Sequence, residues 1–133
     1  MLKSIIEEEY KKIVSVFNIF FDEKIKFDNY GLNHLFKSRG ISRPVQDVRE
    51  RSDLIKLIIP LLQNKFPPTE FARRDYKDKY WVDFYTFIYA YTEFGGDDYK
   101  IKVVIREKTD KSKHFYSIFK IPHVRHKKLP ITG

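Results

Sequence analysis

Histidine is the side chain best suited to proton transfer near neutral pH, and this 133-residue chain has four of them. His34 lies in the stretch FDNYGLNHLFKSRG, and His114 begins the stretch HFYSIFKI. Either imidazole can take a proton from a hydroxyl group or give one to a leaving oxygen. His123 and His126 lie among basic residues near the end, where zinc would need a third ligand, so we interpret them as part of a solvated tail. His34 and His114 are therefore the candidate acid–base residues.

The charge balance indicates what these histidines would act on. Twenty-six Lys and Arg residues oppose eighteen Asp and Glu residues, which gives a formal net charge of +8. Such a chain attracts polyanions through long-range steering and counterion release, so nucleic acid is the expected partner, with an anionic membrane surface as the disfavoured alternative. The absence of cysteine excludes disulfides, thiolate zinc sites and a cysteine nucleophile. No stretch approaches the length of an apolar membrane span, and we expect no membrane partner.

Cleavage of RNA without a metal ion assigns complementary roles to a few residue types. One group must deprotonate the ribose 2'-hydroxyl, one must protonate the leaving 5'-oxygen, and cations must stabilise the phosphorane. Arg106 with Lys100 or Lys102 can hold the phosphate. Tyr116 or Ser117 can orient it by hydrogen bonding. The GxGxxG, Walker A and GxSxG motifs are absent, so nucleotide-driven and serine hydrolase chemistry have no support, and we expect no cofactor.

Helices are predicted in the first half of the chain. A capping box at Ser4 and apolar residues at three- and four-residue spacing predict a first helix that runs to about Asp22. Pro44 suits the first turn of a later helix, which Pro60 must kink or divide because proline removes an amide donor. The sequence KFPPT then ends the helical region.

A short helix between these two carries His34. Asp28 can cap its beginning and Gly40 can end it. Its apolar stripe is Leu32, Leu35 and Phe36. On a helical wheel His34 lies off this stripe, beside Tyr30, Lys37 and Ser38, so burial in the core does not explain its presence.

Beyond residue 80 the apolar period changes to two. The stretches WVDFYTFIYAYTE, YKIKVVIREK and HFYSIFKI, separated by turn residues, predict three antiparallel strands. We therefore predict an α+β fold in which N-terminal helices pack on one face of a small antiparallel sheet. Residues 1–133 would form one domain, with 122–133 as a basic tail.

The uncovered face of this sheet is expected to carry cations and tyrosines together, since ammonium groups neutralise phosphates while tyrosine rings stack on unpaired bases. In the last strand, alternation directs Phe115, Phe119 and Ile121 to the core and His114, Tyr116 and Lys120 to the opposite surface. Ser117 would then lie on the core side unless the strand contains a bulge.

The order of these segments resembles the barnase-EndoU-colicin-RelE superfamily of small ribonucleases, particularly its phage and polymorphic-toxin branches. The stretches that carry the resemblance lie within residues 25–121 and are FDNYGLNHLFKSRG, VRERSDLIKLIIPLLQNK, KIKVVIREK and HFYSIFKI. By this resemblance His34 matches the histidine of an early helix, and Arg51 matches the leading arginine of the next. Ser117 matches the hydroxyl of the final strand, and Arg39 lies near a second basic position. The second histidine common in the family is missing, and the proline of LIIPLL lies inside its helix.

We therefore predict a toxin-like, metal-independent endoribonuclease that cleaves by 2'-hydroxyl attack. Its predicted catalytic residues are His34, Arg106, Tyr116 and Ser117. Its predicted RNA contacts are Lys37, Arg39, Arg51, Tyr85, Lys100, Lys102, His114 and Lys120. The alternative is a non-catalytic RNA- or DNA-binding module on the same basic sheet face. The expected partners are RNA, with tRNA as a candidate, and an immunity or antitoxin protein. We expect a free monomer that acts in the cytoplasm, with delivery as a toxin domain as one route there.

Overall fold

The computed structural model describes residues 2–76, 80–92 and 98–122, and within them the chain forms three helices and eight strands. In chain order these are α1 (Leu2–Lys11), β1 (Ser15–Asn18), β2 (Glu23–Lys26), α2 (Asn29–Phe36), β3 (Lys37–Ser38), β4 (Ile41–Ser42), α3 (Val45–Leu62), β5 (Glu70–Tyr76), β6 (Tyr80–Thr92), β7 (Asp98–Glu107) and β8 (Lys113–Pro122). The first residue of the predicted tail, Pro122, ends β8, and the rest of the tail, including His123 and His126, lies outside the described residues. In the part of the chain that is described, no helix is long and apolar enough to cross a membrane.

Six of the strands form one sheet in the order β1-β2-β8-β7-β6-β5. All neighbours are antiparallel except β2 and β8, which run parallel over two residue pairs. The remaining two strands, β3 and β4, pair with each other. The α+β prediction is confirmed, and β6, β7 and β8 are the three antiparallel strands that the two-residue period predicted. β1, β2 and β5 were missed.

One face of the sheet packs against the helices. Alternate residues of β7 are buried there, namely Tyr99, Ile101, Val103 and Ile105. The helices contribute Ile6, Tyr10, Leu32, Leu35, Val48, Leu54, Ile55, Ile58 and Leu62 to the same core. Fully burying a side chain of this size stabilises the fold by about 1.5–3 kcal/mol, so this face holds the helices on the sheet.

The predicted long first helix is wrong because the chain turns after α1. Val14 has a positive φ of 59°, which a helix cannot include, and the following SVFN pairs with β2 as a strand. The side chain of Asn18 is fully buried, and its Nδ2 donates to the carbonyl of Leu62 at 2.6 Å. A strand residue thus satisfies one of the carbonyls left free at the end of α3. The capping box is also wrong, since α1 already includes Ser4.

Two further boundaries differ from the predictions. Arg39 and Gly40 both have positive φ, 54° and 79°, which is typical of a two-residue hairpin turn, here between β3 and β4. Gly40 therefore closes a hairpin and does not end a helix. α3 begins after Pro44, as predicted, but it continues through Pro60 to Leu62 and is not divided.

β8 contains a bulge at Tyr116. Ser117 lies opposite Val104, whereas Phe115 lies opposite Ile105, so Tyr116 has no partner on β7. An extra residue reverses the alternation of the side chains beyond it. Ser117 therefore shares a face with Val104, away from α3, which resolves its predicted conflict with the core residues.

The same reversal makes the predicted faces of the last strand wrong after Ser117. Ile118 faces the core in place of Phe119, and Phe119 lies opposite Lys102 on the other face. Lys120 lies opposite Ile101 on the helix-covered face, where its Nζ is 3.1 Å from a Glu50 carboxylate oxygen.

Candidate active site on the outer face

We call the side of β5–β8 that α3 does not cover the outer face. Cross-strand pairs place on it Phe84 with Arg106, Thr86 with Val104, and Ile88 with Lys102. Tyr85 and Tyr89 of β6 have the opposite parity: Tyr85 lies opposite Ile105 and Tyr89 opposite Ile101, on the helix-covered face. The expected mixture of cations and β6 tyrosines on one face is therefore wrong.

The short α2 brings His34 to this face. β2 pairs only with the first two residues of β8, and the chain then passes through Asp28 into α2, which packs along β8. Asp28 caps α2 as predicted, since its Oδ1 accepts from the amide of Gly31 at 3.3 Å. Its other oxygen lies 2.7 Å from Nδ1 of His114 in β8. Asp28 thus joins the beginning of α2 to β8, because its two carboxylate oxygens contact Gly31 of the helix and His114 of the strand.

Gly31 allows the close approach between helix and strand. A Cβ atom at this position would lie 2.6 Å from the carbonyl oxygen of Phe115 and 2.7 Å from the hydroxyl of Tyr10. Real Cβ atoms essentially never come that near to other heavy atoms. Phe115, the residue before the bulge, therefore packs against the backbone of α2 at Gly31. This brings Tyr30 and His34 of α2 to the ring of Tyr116.

His34 stacks on the ring of Tyr116. Their ring centroids are 4.5 Å apart with an interplanar angle of 23°. Tyr30, one helical turn before His34, also stacks on Tyr116 at 5.8 Å. The bulge residue therefore contacts both side chains of the i, i+4 pair on α2. The helical-wheel prediction that His34 lies away from the core is confirmed.

Two arginines of the following segment place positive charge near His34. Arg43 donates through Nε to the carbonyl of His34 at 3.0 Å, and its Nη2 lies 3.5 Å from the His34 Nε2. Arg51 donates to Asp47 at 3.0 Å and to the carbonyl of Ile118 at 2.6 Å. Both arginine side chains are only 11–13% exposed, and they share Asp47 as their carboxylate partner. Two guanidinium groups against one carboxylate leave an excess of positive charge beside the imidazole.

This environment fixes the protonation state of His34. Burial, with smaller contributions from the charges of Arg43 and Arg51, lowers the pKa of His34 to about 4. Desolvation and like charge both disfavour the imidazolium form. His34 is therefore neutral at pH 7 and carries a nitrogen that can accept a proton.

Arg106 joins the same cluster through Tyr30. Its guanidinium carbon lies 3.9 Å from the centre of the Tyr30 ring, a cation–π contact. Its Nε is buried and has no hydrogen-bond partner among the described residues. An unpaired buried donor costs stability. Arg106 is the cation of β7 that contacts the side chains around His34.

Two other predicted site residues are buried near the cluster. Ser117 is 6% exposed, and its Cα lies opposite Val104 on the outer face. His114 is also 6% exposed, and its Nδ1 and Nε2 lie 2.7 and 2.8 Å from Asp28 and Ser112 oxygens. Burial lowers the pKa of His114 even though Asp28 opposes the shift. Both ring nitrogens of His114 therefore have partners within the protein.

The remaining predicted contacts lie elsewhere. Lys100 and Lys102 are on the outer face, but six and four residues from Arg106 along β7, which is roughly 20 and 13 Å. Lys37 and Arg39 belong to the exposed β3–β4 hairpin. Tyr85 donates to Glu107 on the helix-covered face at 3.1 Å.

Arg43 was missed by the sequence analysis because nothing marks it except its place before Pro44. Phe84 was missed as a site residue because the alternation within β6 does not predict which side chains of β8 Phe84 contacts. Its ring lies 5.2 Å from that of Tyr116. The position of Tyr30 beside His34, in contrast, follows from their four-residue spacing.

In the described part of the chain, no three His, Asp or Glu side chains form a group that could hold a metal ion. No family model, curated protein or solved structure matches the chain.

Proposed function

We propose that this protein is a metal-independent endoribonuclease whose general base is His34. The observation that carries the proposal is a neutral imidazole stacked on Tyr116, with the guanidinium group of Arg43 3.5 Å from its Nε2 and the charge of Arg51 acting on it. This arrangement supports a reaction that needs a proton acceptor next to a developing negative charge. Membership of the barnase-EndoU-colicin-RelE superfamily, a cytoplasmic site of action and an immunity protein belong to the same proposal.

In the proposed reaction His34 takes the proton of a ribose 2'-hydroxyl. The 2'-oxygen attacks the adjacent phosphorus, and the bond between phosphorus and the 5'-oxygen breaks. The products are a 2',3'-cyclic phosphate and a 5'-hydroxyl group, which receives its proton from the Tyr116 phenol or from water. Arg43, Arg51 and Arg106 stabilise the charge on the phosphorane.

The electrostatics of the cluster suit an anion and oppose a divalent cation. Arg43 and Arg51 lie beside His34, and Asp47 is the carboxylate that pairs with both. Burial and the neighbouring Arg51 also lower the pKa of Arg43, while Asp47 and Tyr116 oppose this shift. A bound phosphate would relieve the repulsion between the two guanidinium groups and would raise the pKa of His34. The base would thus become stronger when substrate binds.

Cleavage of a labelled RNA in the presence of EDTA tests the proposal. The parent protein should produce 2',3'-cyclic phosphate ends, and His34→Gln should lower the rate by about 100-fold or more, the loss expected for a proton-transfer catalyst. Asn33→Ala is the matched control, since Asn33 is exposed on the same helix. Tyr116→Phe keeps the ring that stacks on His34 and removes the hydroxyl. Equal cleavage by the parent and His34→Gln would exclude His34 as the base.

The second candidate function is a non-catalytic RNA- or DNA-binding module. It is favoured by the position of Lys100 and Lys102, which extend the basic outer face well beyond the His34 cluster. This function predicts salt-sensitive binding of RNA with no cleavage by the parent protein. The EDTA assay therefore separates the two candidates.

A further inference from the structure

A groove crosses the outer face next to the His34 cluster. Its volume is about 530 Å³, and its lining residues are Ala72, Arg73, Arg74, Phe84, Val104 and Tyr116. These residues come from four neighbouring strands, so the groove runs across the sheet from β5 to the bulge of β8. At the bulge it meets Tyr116, whose ring carries His34 on α2.

The lining combines an apolar floor with a cation. Phe84 is half-buried, and its ring packs against Tyr116 at 5.2 Å with an angle of 64°. The guanidinium carbon of Arg74 lies 5.9 Å from the centre of the Phe84 ring, and Arg74 is exposed. Arg73 donates to Asp83 at 2.6 and 3.0 Å. Arg74 is therefore the guanidinium that we assign to a ligand in the groove.

We propose that this groove binds one unpaired nucleotide of the RNA next to the phosphodiester cleaved at His34. Its base would stack on Phe84, and Arg74 would contact its phosphate. The proposal depends on the proposed function for the position of the cleaved bond, and it names single-stranded RNA as the substrate class. Stacking on an aromatic ring is available to every base, so we expect little sequence preference at this position.

The position of Phe84 favours a single strand over a duplex. Its ring lines the groove and is half-buried, so a base can stack on it only after leaving the stack of a helix. Cations of the outer face, namely Arg74, Lys100, Lys102 and Arg106, outnumber the carboxylates of Glu70 and Asp98 on the same face, which attracts the phosphates of single-stranded and double-stranded RNA alike. A flexible strand can follow such a surface with its phosphates while it inserts one base.

Binding measurements without cleavage test the groove. The His34→Gln protein would be titrated with a fluorescently labelled single-stranded oligouridylate, and with an RNA duplex of the same length. Phe84→Leu in this background should weaken binding of the single strand about 5-fold or more. Phe84→Tyr, which keeps an aromatic face, should restore it. Arg74→Gln should lower the slope of log affinity against log salt concentration by about 0.7.

Two matched controls separate the groove from general effects. Phe71→Leu removes an exposed aromatic side chain from the helix-covered face of β5, and Arg49→Gln removes an exposed arginine from α3. Neither should change the affinity for the single strand. The proposal is overturned if Phe84→Leu and Arg74→Gln, folded by circular dichroism, bind as tightly as their background, or if the duplex binds as tightly as the single strand. Because binding is measured without cleavage, failure of the ribonuclease proposal would be recognised separately, by the EDTA assay.

Discussion

The lowered pKa of His34 makes the stability of the fold depend on pH. In the folded chain His34 takes up its proton only near pH 4, whereas an unfolded chain has an ordinary histidine pKa of about 6.5. Below pH 6.5 the unfolded chain therefore binds a proton that the folded chain does not bind. The part of the free energy of unfolding that depends on neutral His34 is fully present above pH 6.5. It is lost progressively as the pH falls from 6.5 to 4.

The size of the loss follows from the separation of the two pKa values. Each pKa unit corresponds to about 1.4 kcal/mol. The difference between 6.5 and about 4 therefore limits the total loss in the free energy of unfolding to about 3.4 kcal/mol. A pH of 5 is about 1.5 units below the pKa of the unfolded chain, so the free energy of unfolding is about 2 kcal/mol lower there than at neutral pH. Because His34 is only half-buried, solvent screening reduces this figure, and we expect a loss of about 1–2 kcal/mol between pH 7 and pH 5.

Urea unfolding at pH 7 and pH 5 measures this loss in the parent protein and in His34→Gln. Glutamine does not titrate, so the variant should lose about 1–2 kcal/mol less than the parent between the two pH values. His114, whose pKa is also lowered, contributes equally to both proteins and cancels in the difference. An equal loss in parent and variant would refute a neutral, partly desolvated His34 in the folded state.

Three further variants test the structure around the site and the binding surface beside it. Gly31→Ala should destabilise the fold by about 1–2 kcal/mol in urea unfolding, because the clash with Phe115 outweighs the better helix propensity of alanine. A more stable variant would contradict the close approach of α2 and β8. Arg51→Met should cost about 1–3 kcal/mol in the same assay because a carbonyl of β8 loses its donor, and an unchanged stability would show that this hydrogen bond is dispensable. Lys100→Glu combined with Lys102→Glu should weaken RNA binding and flatten its salt dependence, while the thermal unfolding temperature stays nearly unchanged. A folded variant with the parent's salt slope would exclude this part of the outer face from RNA binding.

The strands β6 and β7 and the helix α3 could be predicted because each shows one period over ten or more residues. The strand β8 was also predicted, but its bulge at Tyr116 reverses the alternation, so its faces were predicted only in part. The segment from Ile13 to Lys26 could not be predicted, because β1 and β2 have only four residues each and the apolar spacing from Ile13 to Phe21 also fits a helix. The turn at Val14, with its positive φ, decides between the two structures and has no clear sequence signal. Long-range pairing with β8 then stabilises strands that their own sequences barely specify.

The candidate site was predicted in part for a similar reason. The spacing on α2 is enough to place His34 and Tyr30 together, away from Leu32 and Leu35. Alternation shows that neighbouring residues of β6 point to opposite faces, but only the register with β7 shows that Phe84, and not Tyr85, shares a face with Arg106. The approach of Arg43 depends on the β3–β4 hairpin, where the sequence predicts the end of a helix.

The position of β8 within the sheet determines when during synthesis the site can form. β8 lies between β2 and β7, so the last strand of the described sheet is inserted between earlier ones and supplies Tyr116 to a histidine 116 − 34 = 82 residues earlier in the chain. Contacts of such long range form late, after the helices and local hairpins. A nascent chain that ends before β8 therefore contains His34 without the ring it stacks on and without the strand carbonyl that holds Arg51. For a protein proposed to cleave RNA, this chain order would delay activity until nearly all of the described fold has left the ribosome.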